Sequence, residues 1–225
     1  MAVLPMFPLG SVLLPGEVLP LHVFEPRYRQ LVKDVLAGEP EFGVALIDRG
    51  SEVGGGDQRS HVGTVARLIQ VNELEDGRYA VLGVGTRRIK VVAWLPDDPY
   101  PVADVDDWPD EDVGADADDR ADLAAMVVAV HRDVRRVIAL AVELGDTTTD
   151  PTGDISTDPL LASYHLSALA PLGPADRYRL LRAPGPAARL ALLTELLGDA
   201  EAAMQFRMSS GWSGHGEDDP RSGES

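Results

Sequence analysis

Phe7-Pro8-Leu9, followed by Pro20-Leu21-His22-Val23-Phe24-Glu25-Pro26-Arg27-Tyr28-Arg29, is the stretch on which the fold of this 225-residue chain turns. An apolar run over residues 18–23 stops where Pro26 opens a different pattern. Proline suits the first position of a helix, because its missing N–H would have no partner there. Tyr28, Leu31, Val32, Val35 and Leu36 then recur at helical spacing, and Gly38 ahead of Pro40 marks the stop. Arg27, Arg29, Lys33 and Asp34 fall on the wetter face. A strand end, a proline-marked helix start and two aromatics thus sit side by side.

The rest of the first hundred residues reads as strands around that one helix. Val12-Leu13-Leu14 and residues 18–23 are apolar runs split by Pro15-Gly16, and proline places them at strand ends or edges. Residues 42–47 are apolar with little alternation, which predicts a strand buried on both sides. Residues 50–60, centred on Gly54-Gly55-Gly56, predict a flexible surface loop. Residues 61–71, 78–84 and 88–94 predict further strands. The first two of these are joined through Glu75-Asp76-Gly77, and Asp-Gly is a hairpin signal. Five or more short strands with Gly and Pro turns predict a small closed or nearly closed β-barrel.

Further along, the pattern changes. Residues 97–116 are acidic, carry Pro99, Pro101 and Pro109, and read as a solvated loop with little to give a core. Leu123, Met126, Val127, Val130, Val134, Val137, Ile138, Ala141 and Leu144 then recur at spacings of three and four, predicting a long amphipathic helix. After a polar loop over 147–157, Asp158-Pro159 reads as an N-cap plus first helical residue. Gly173-Pro174 and Gly185-Pro186 repeat that punctuation. Leu190, Leu193, Leu197, Ala200 and Met204 form the stripe of a last helix. The expected fold is α+β, with a barrel over residues 1–116, a helical subdomain over 117–208 and a disordered acidic tail over 209–225.

The net charge of −17 is concentrated: residues 97–122 hold twelve acids against Arg120, and residues 209–225 hold four against Arg221. The remaining body is close to neutral. Such a balance repels phosphate backbones, so no nucleic-acid partner is expected. The chain has no cysteine, which rules out disulfides and thiolate metal sites. No run approaches the roughly 20 apolar residues that span a bilayer. Pro5, Pro8 and Pro15 interrupt the first apolar stretch, and no basic stretch precedes it, against a secretory signal. The reading is cytoplasmic, with no membrane partner.

Two groups of residues are candidates for function. Phe24, Arg27 and Tyr28 either line a recognition surface where the first helix meets the barrel, or lock that helix to the sheet. In the second case Glu25 and Arg27 pair nearby charges. Arg87 and Arg88 either hold an acidic ligand or partner by forked hydrogen bonds, or pair with the acidic segment 104–119. Other patterns fail on context. After Gly83-x-Gly85 the third glycine position of a dinucleotide turn is Arg88, and a strand follows. Asp104, Asp106 and Trp108 break the order of a calcium loop. His22, His61, His131, His165 and His215 form no pair at i, i+3 or i, i+4, so no zinc site is expected. Gly211-Trp212-Ser213-Gly214 lacks the fifth-position glycine and the preceding strand of a nucleophile elbow. Trp212 offers at most a short docking peptide.

The order of features resembles the Lon-protease amino-terminal domain family over roughly residues 4–206. Phe7-Pro8-Leu9, Leu13-Leu14-Pro15-Gly16 and residues 20–28 match its opening. Val62-Gly63-Thr64-Val65-Ala66, then Asp76-Gly77-Arg78 with Gly85-Thr86-Arg87-Arg88-Ile89, resemble its later blocks. Asp158-Pro159, Leu180-Leu181 and Arg189-Leu190 match a looser helical pattern. The resemblance implies a PUA-like small β-barrel with an inserted helix, followed by a C-terminal α-helical bundle. It implies substrate capture, which in Lon proteases serves a following AAA+ ATPase and Ser–Lys peptidase. The chain departs from that arrangement. A P-loop needs G-x-x-x-x-G-K-[ST] to cradle phosphates, and the only lysines are Lys33 and Lys90, neither behind a glycine-rich turn. The expectation is a stand-alone, non-enzymatic adaptor or holder without a cofactor. It binds unfolded or partner polypeptide, and a homodimer is compatible with it. The alternative is a small-molecule-binding or hydrolytic module on the same barrel, which requires a deep pocket with convergent polar groups.

Overall fold

A computed structural model of the protein describes residues 2–49, 58–111, 117–147 and 155–210. In chain order it contains β1 (Ala2–Leu9), β2 (Val18–Val23), α1 (Pro26–Ala37), β3 (Glu41–Arg49), β4 (Gln58–Glu73), β5 (Tyr79–Leu95) and β6 (Val102–Asp107). Four helices follow: α2 (Ala117–Glu143), α3 (Pro159–Leu169), α4 (Pro174–Leu181) and α5 (Pro186–Ser209).

The strand order is β2-β5-β4-β3-β1-β6, and β6 returns to pair with β5. Five strands therefore close a ring, which removes open edges from most of the sheet. Two strands divide their length to make this work. On one edge of β5, residues 79–84 pair with β2 and residues 89–95 pair with β6. In β1, residues 2–5 lie antiparallel to β6 and residues 6–9 lie parallel to β3. β2 is left outside the ring, paired only with β5 among the described residues.

Helix α1 begins at Pro26 and buries Tyr28, Leu31, Val32 and Val35. These pack with Phe7, Phe42, Tyr79 and Val81 in the main barrel core. Each such burial contributes about 1.5–3 kcal/mol for a large apolar side chain. A second barrel layer holds Met6, Val65, Ile89, Ala103 and Val105. The helices share a separate core of Val134, Val137, Ile138, Leu166, Leu180, Leu190, Leu193 and Leu197. A small cluster of Val12, Leu14, Val62, Tyr164 and Leu181 joins barrel to helices. Asp158 caps α3, accepting from the Leu161 amide at 3.0 Å, and Pro159, Pro174 and Pro186 each open a helix. Gly77, at φ 73°, makes the turn between β4 and β5.

Several expectations need correction. Val12-Leu13-Leu14 forms no strand. It is a buried loop between barrel and helices, held by Thr64 Oγ1 donating to the Leu13 carbonyl at 2.7 Å. Residues 78–84 and 88–94 belong to one strand, β5. The irregularity at Thr86 is a register shift against β4, where Val65 faces Arg87 and Ala66 faces Gly85. A side chain at Gly85 would run into the Leu14 carbonyl, so glycine there marks a close approach and not a turn. The acidic segment is not merely a solvated loop. It supplies β6, whose Ala103 and Val105 are buried while the acids Asp106 and Asp107 are exposed. Strand β4 starts at Gln58, inside the expected glycine loop, and Ser209 still belongs to α5. The remainder of the glycine loop (50–57), of the polar loop (148–154) and of the tail (211–225) lies outside the described residues. No helix among the described residues is long and apolar enough to cross a membrane.

Candidate functional site

Two concave regions hold the sequence candidates. The first surrounds the junction of β2 and α1. Tyr28 is 3% exposed and stacks on Phe7, with ring centroids 4.1 Å apart. Its ring is packed into the barrel core. Arg27 lies over the Tyr28 ring at 4.5 Å and donates from Nε to Glu25 at 3.1 Å, so its charge is held at the surface of the same stack. Phe24 behaves differently. It is 54% exposed, because it sits between the end of β2 and the cap of α1, where neither face of an element covers it.

Phe24 borders a concavity of about 220 Å³ also lined by Phe7, Leu9, Leu21 and Tyr28. This concavity lies where β6 no longer separates β1 from β2. Pro20, Leu21 and His22 also line a second concavity of about 260 Å³ on the outer side of β2 and β5. Gln70 links that one to a third, of about 470 Å³, bordered by Leu36, Pro40, Ile69 and Val71. The first two share Pro20, Leu21 and His22, and the second and third share Gln70. Leu36 and Ile69 add exposed apolar surface along the third. The result is a band of adjoining concavities beside an edge strand.

The second region lies where β5 meets the helices, and here Arg88 and Arg87 part ways. Arg88 is 2% exposed and points out of the barrel into the helical layer. Its Nη1 donates to the carbonyls of Leu181 at 2.8 Å and Ala183 at 2.6 Å, and Nη2 pairs with Asp110 at 3.1 Å. Asp110 is shared: Arg189 Nη2 donates to it, and the Tyr164 hydroxyl donates to its other oxygen at 2.6 Å. Arg189 is fully buried, stacks on Tyr164 at 3.6 Å, and donates to Ser163 Oγ at 2.7 Å. Burial draws the pKa of Arg88 down, with Tyr164 and Asp110 pulling the other way. Burial likewise pushes the Tyr164 phenol up. This network ties β5, the segment after β6, α3 and α5 together.

Arg87 stays at the rim. It donates to Glu41 at 2.8 Å and to Asp107 at 2.9 Å. Burial works against the Glu41 charge, but hydrogen bonds from Arg87 and Arg67 hold its carboxyl below the ordinary value. Both arginines thus pair with the 104–119 segment, Arg87 through Asp107 and Arg88 through Asp110. Beside them a cavity of about 380 Å³ is walled by Trp108, Tyr164, Leu160 and Leu161. Sequence reasoning missed Asp110, Tyr164 and Arg189. The one available signal was Trp108-Pro109-Asp110, an aromatic and a proline inside an acidic run. Among the described residues, no group of three metal-ligating side chains converges.

Comparison with known proteins agrees with this architecture. The family described as the ATP-dependent protease La (LON) substrate-binding domain matches residues 3–199. A Lon protease of Anaeromyxobacter dehalogenans is 30% identical over 198 residues, covering 87% of this chain and 23% of that protein. A LON peptidase N-terminal domain and RING finger protein of Schizosaccharomyces pombe is 23% identical, covering 92% of this chain and 47% of that protein. Among solved structures, a Lon N-terminal domain protein from Xanthomonas campestris superposes with a TM-score of 0.61 at 27% identity, covering 87% of this chain and 98% of that one. The N-terminal domain of Mycobacterium avium complex Lon protease gives 0.59 at 18% identity, with 88% and 99% covered. The chain thus spans about a quarter of the Lon proteases it matches, and along nearly its whole described length it belongs to the Lon substrate-binding domain family.

Proposed function

We propose that the chain is a non-catalytic polypeptide-binding module that acts as a holder or adaptor, capturing unfolded segments along the band beside β2. The division that serves this role is a PUA-like barrel over 1–116 carrying the band, and a helical subdomain over 117–208 that braces it from behind. One observation carries the reading. The exposed apolar side chains Phe24, Ile69 and Leu36 border linked shallow concavities, not one deep pocket. A chain with side chains spaced a few ångströms apart fits such a band, whereas a small ligand needs enclosure. The near-neutral body around it leaves apolar burial as the main driving force. Phe24 is the anchor in this account, and Arg27 borders it, while Tyr28, Arg87 and Arg88 act through the frame.

The test is fluorescence anisotropy of a labelled, permanently unfolded carboxymethylated protein titrated with this chain. Saturable binding is expected, with loss of affinity in Phe24→Ser. No binding at protein concentrations up to about 1 mM, the weak end of specific recognition, refutes the reading.

A further inference from the structure

The parity of the β2–β5 ladder fixes which backbone groups β2 turns toward its other edge, which is unpaired among the described residues. The ladder starts at a bulge. Gly16, at φ 84°, donates to the Gly85 carbonyl at 2.8 Å, and the Gly85 amide donates to the Glu17 carbonyl at 2.9 Å. Glu17 and Gly85 therefore face each other as a hydrogen-bonded pair, and the register runs without a shift from Val18↔Val84 to Val23↔Tyr79. In an antiparallel ladder such pairs alternate with pairs that exchange no hydrogen bond. Leu19, Leu21 and Val23 thus aim their N–H and C=O groups at β5, while Val18, Pro20 and His22 aim theirs away from it. The middle N–H of that outward row is missing, because residue 20 is proline.

β1 repeats the arrangement where β6 leaves it. The Met6 amide donates to the Pro101 carbonyl at 2.8 Å, on the side away from β3. The next residue with that orientation is Pro8, which keeps its place opposite Ala45 in the parallel ladder because its nitrogen points the other way. Phe7 and Leu9 of β1, with residues 20–23 of β2 and Phe24 beyond it, line the concavity of about 220 Å³. Both flanking strands therefore carry proline where an incoming strand would seek an N–H, a placement that blunts strand addition. What the concavity offers is side chain, with Phe24 the most exposed at 54%.

We propose that a captured segment is read through its apolar side chains alone, and that Pro20, with Pro8 across the gap, keeps its main chain from joining the sheet. The inference rests on the polypeptide-binding reading and deepens it by naming the substrate class: apolar segments whether or not they can extend as a strand, proline-interrupted ones included. A strand laid along β2 would set its central carbonyl against a pyrrolidine ring in place of a donor. A side chain packing beside Phe24 needs no donor at all.

The experiment uses the full chain and labelled eight-residue peptides of leucine, phenylalanine and serine in anisotropy titrations. One peptide is all amide. Two others carry esters at the odd or the even linkages, so each loses alternate N–H donors and keeps its side chains. A fourth has proline at a central serine. All four affinities should agree within about threefold, less than the roughly fivefold worth of a single backbone hydrogen bond. Strand addition through three donors would instead weaken one ester form about a hundredfold. A loss beyond about threefold in either ester form overturns the proposal. Pro20→Thr restores the missing N–H, and in that variant the all-amide peptide should outbind one ester form by about fivefold or more. A Pro20→Thr protein that keeps the parent's urea midpoint and still ignores the esters also overturns it. The ester comparison on the unaltered protein stands whatever that variant does to folding. If the esters bind weakly while capture of unfolded carrier protein still responds to Phe24→Ser, only the side-chain reading is lost. If neither peptides nor carrier protein bind, the broader reading is lost too.

Discussion

Replacing Asp110 should do more damage than any other single change at the surface between barrel and helices. Among the described residues, its carboxylate is the anion shared by two guanidiniums that are 2% and 0% exposed, Arg88 and Arg189. Removing one partner of a buried pair costs about 3–5 kcal/mol, because the surviving charge stays out of water. Here two charges survive. Each keeps carbonyl or hydroxyl acceptors, from Leu181, Ala183, Leu180 and Ser163, which argues against exceeding that range. We take about 4 kcal/mol for Asp110→Asn, which keeps the shape and removes the charge. With a urea slope of about 2 kcal/mol per molar, the midpoint should fall by about 2 M. Adding Arg189→Met should recover part of the loss, with a coupling of about 1–3 kcal/mol. An Asp110→Asn midpoint within about 0.5 M of the parent would refute the view that this pair welds the two layers.

Tyr28→Ala should cost about 3–5 kcal/mol in the same assay, as for other buried aromatics, since the ring fills the space against Phe7. Phe24→Ser should leave the unfolding free energy within about 0.5 kcal/mol of the parent yet weaken binding of unfolded protein about tenfold, the worth of burying half a phenyl ring. Glu41 supplies a pH test. Its carboxyl is held below the ordinary 4.5 by Arg87 and Arg67, against the effect of burial. A depressed carboxylate stabilises the fold above its unfolded value, and that stability is lost as the pH falls through its folded value. Stability should therefore drop on acidification below about 4.5, and Glu41→Gln should flatten that limb of the curve measured by thermal unfolding.

Local signals were enough for much of the fold. Pro26, Asp158-Pro159, Gly173-Pro174 and Gly185-Pro186 each act within a turn or two of themselves, so helix starts could be read directly. The Asp76-Gly77 turn was legible for the same reason. What escaped was set by distant partners. Thr86 and Gly85 look like a break until β4 runs past them on one side and Leu14 approaches on the other. Acidic residues 102–107 look like a loop because alternation in so short a strand leaves Ala103 and Val105 as its only fully buried side chains. β6 gains its stability by closing the ring between β1 and β5. The candidate site divides in the same way. Phe24 and Tyr28 are four residues apart with similar chemistry, and only the packing of Phe7 under the helix sends one inward and leaves the other exposed. Arg87 and Arg88 are neighbours, yet the strand's alternation places one at the rim and the other inside.

Hydrogen exchange on the complex with unfolded carboxymethylated protein reads the binding surface directly. Slowed exchange should fall on β2 and the start of α1, residues 18–27, and on residues 69–72 of β4, with the outer face of α2 unchanged. Protection confined to the helices, or none at saturating ligand, would contradict capture along the band beside β2.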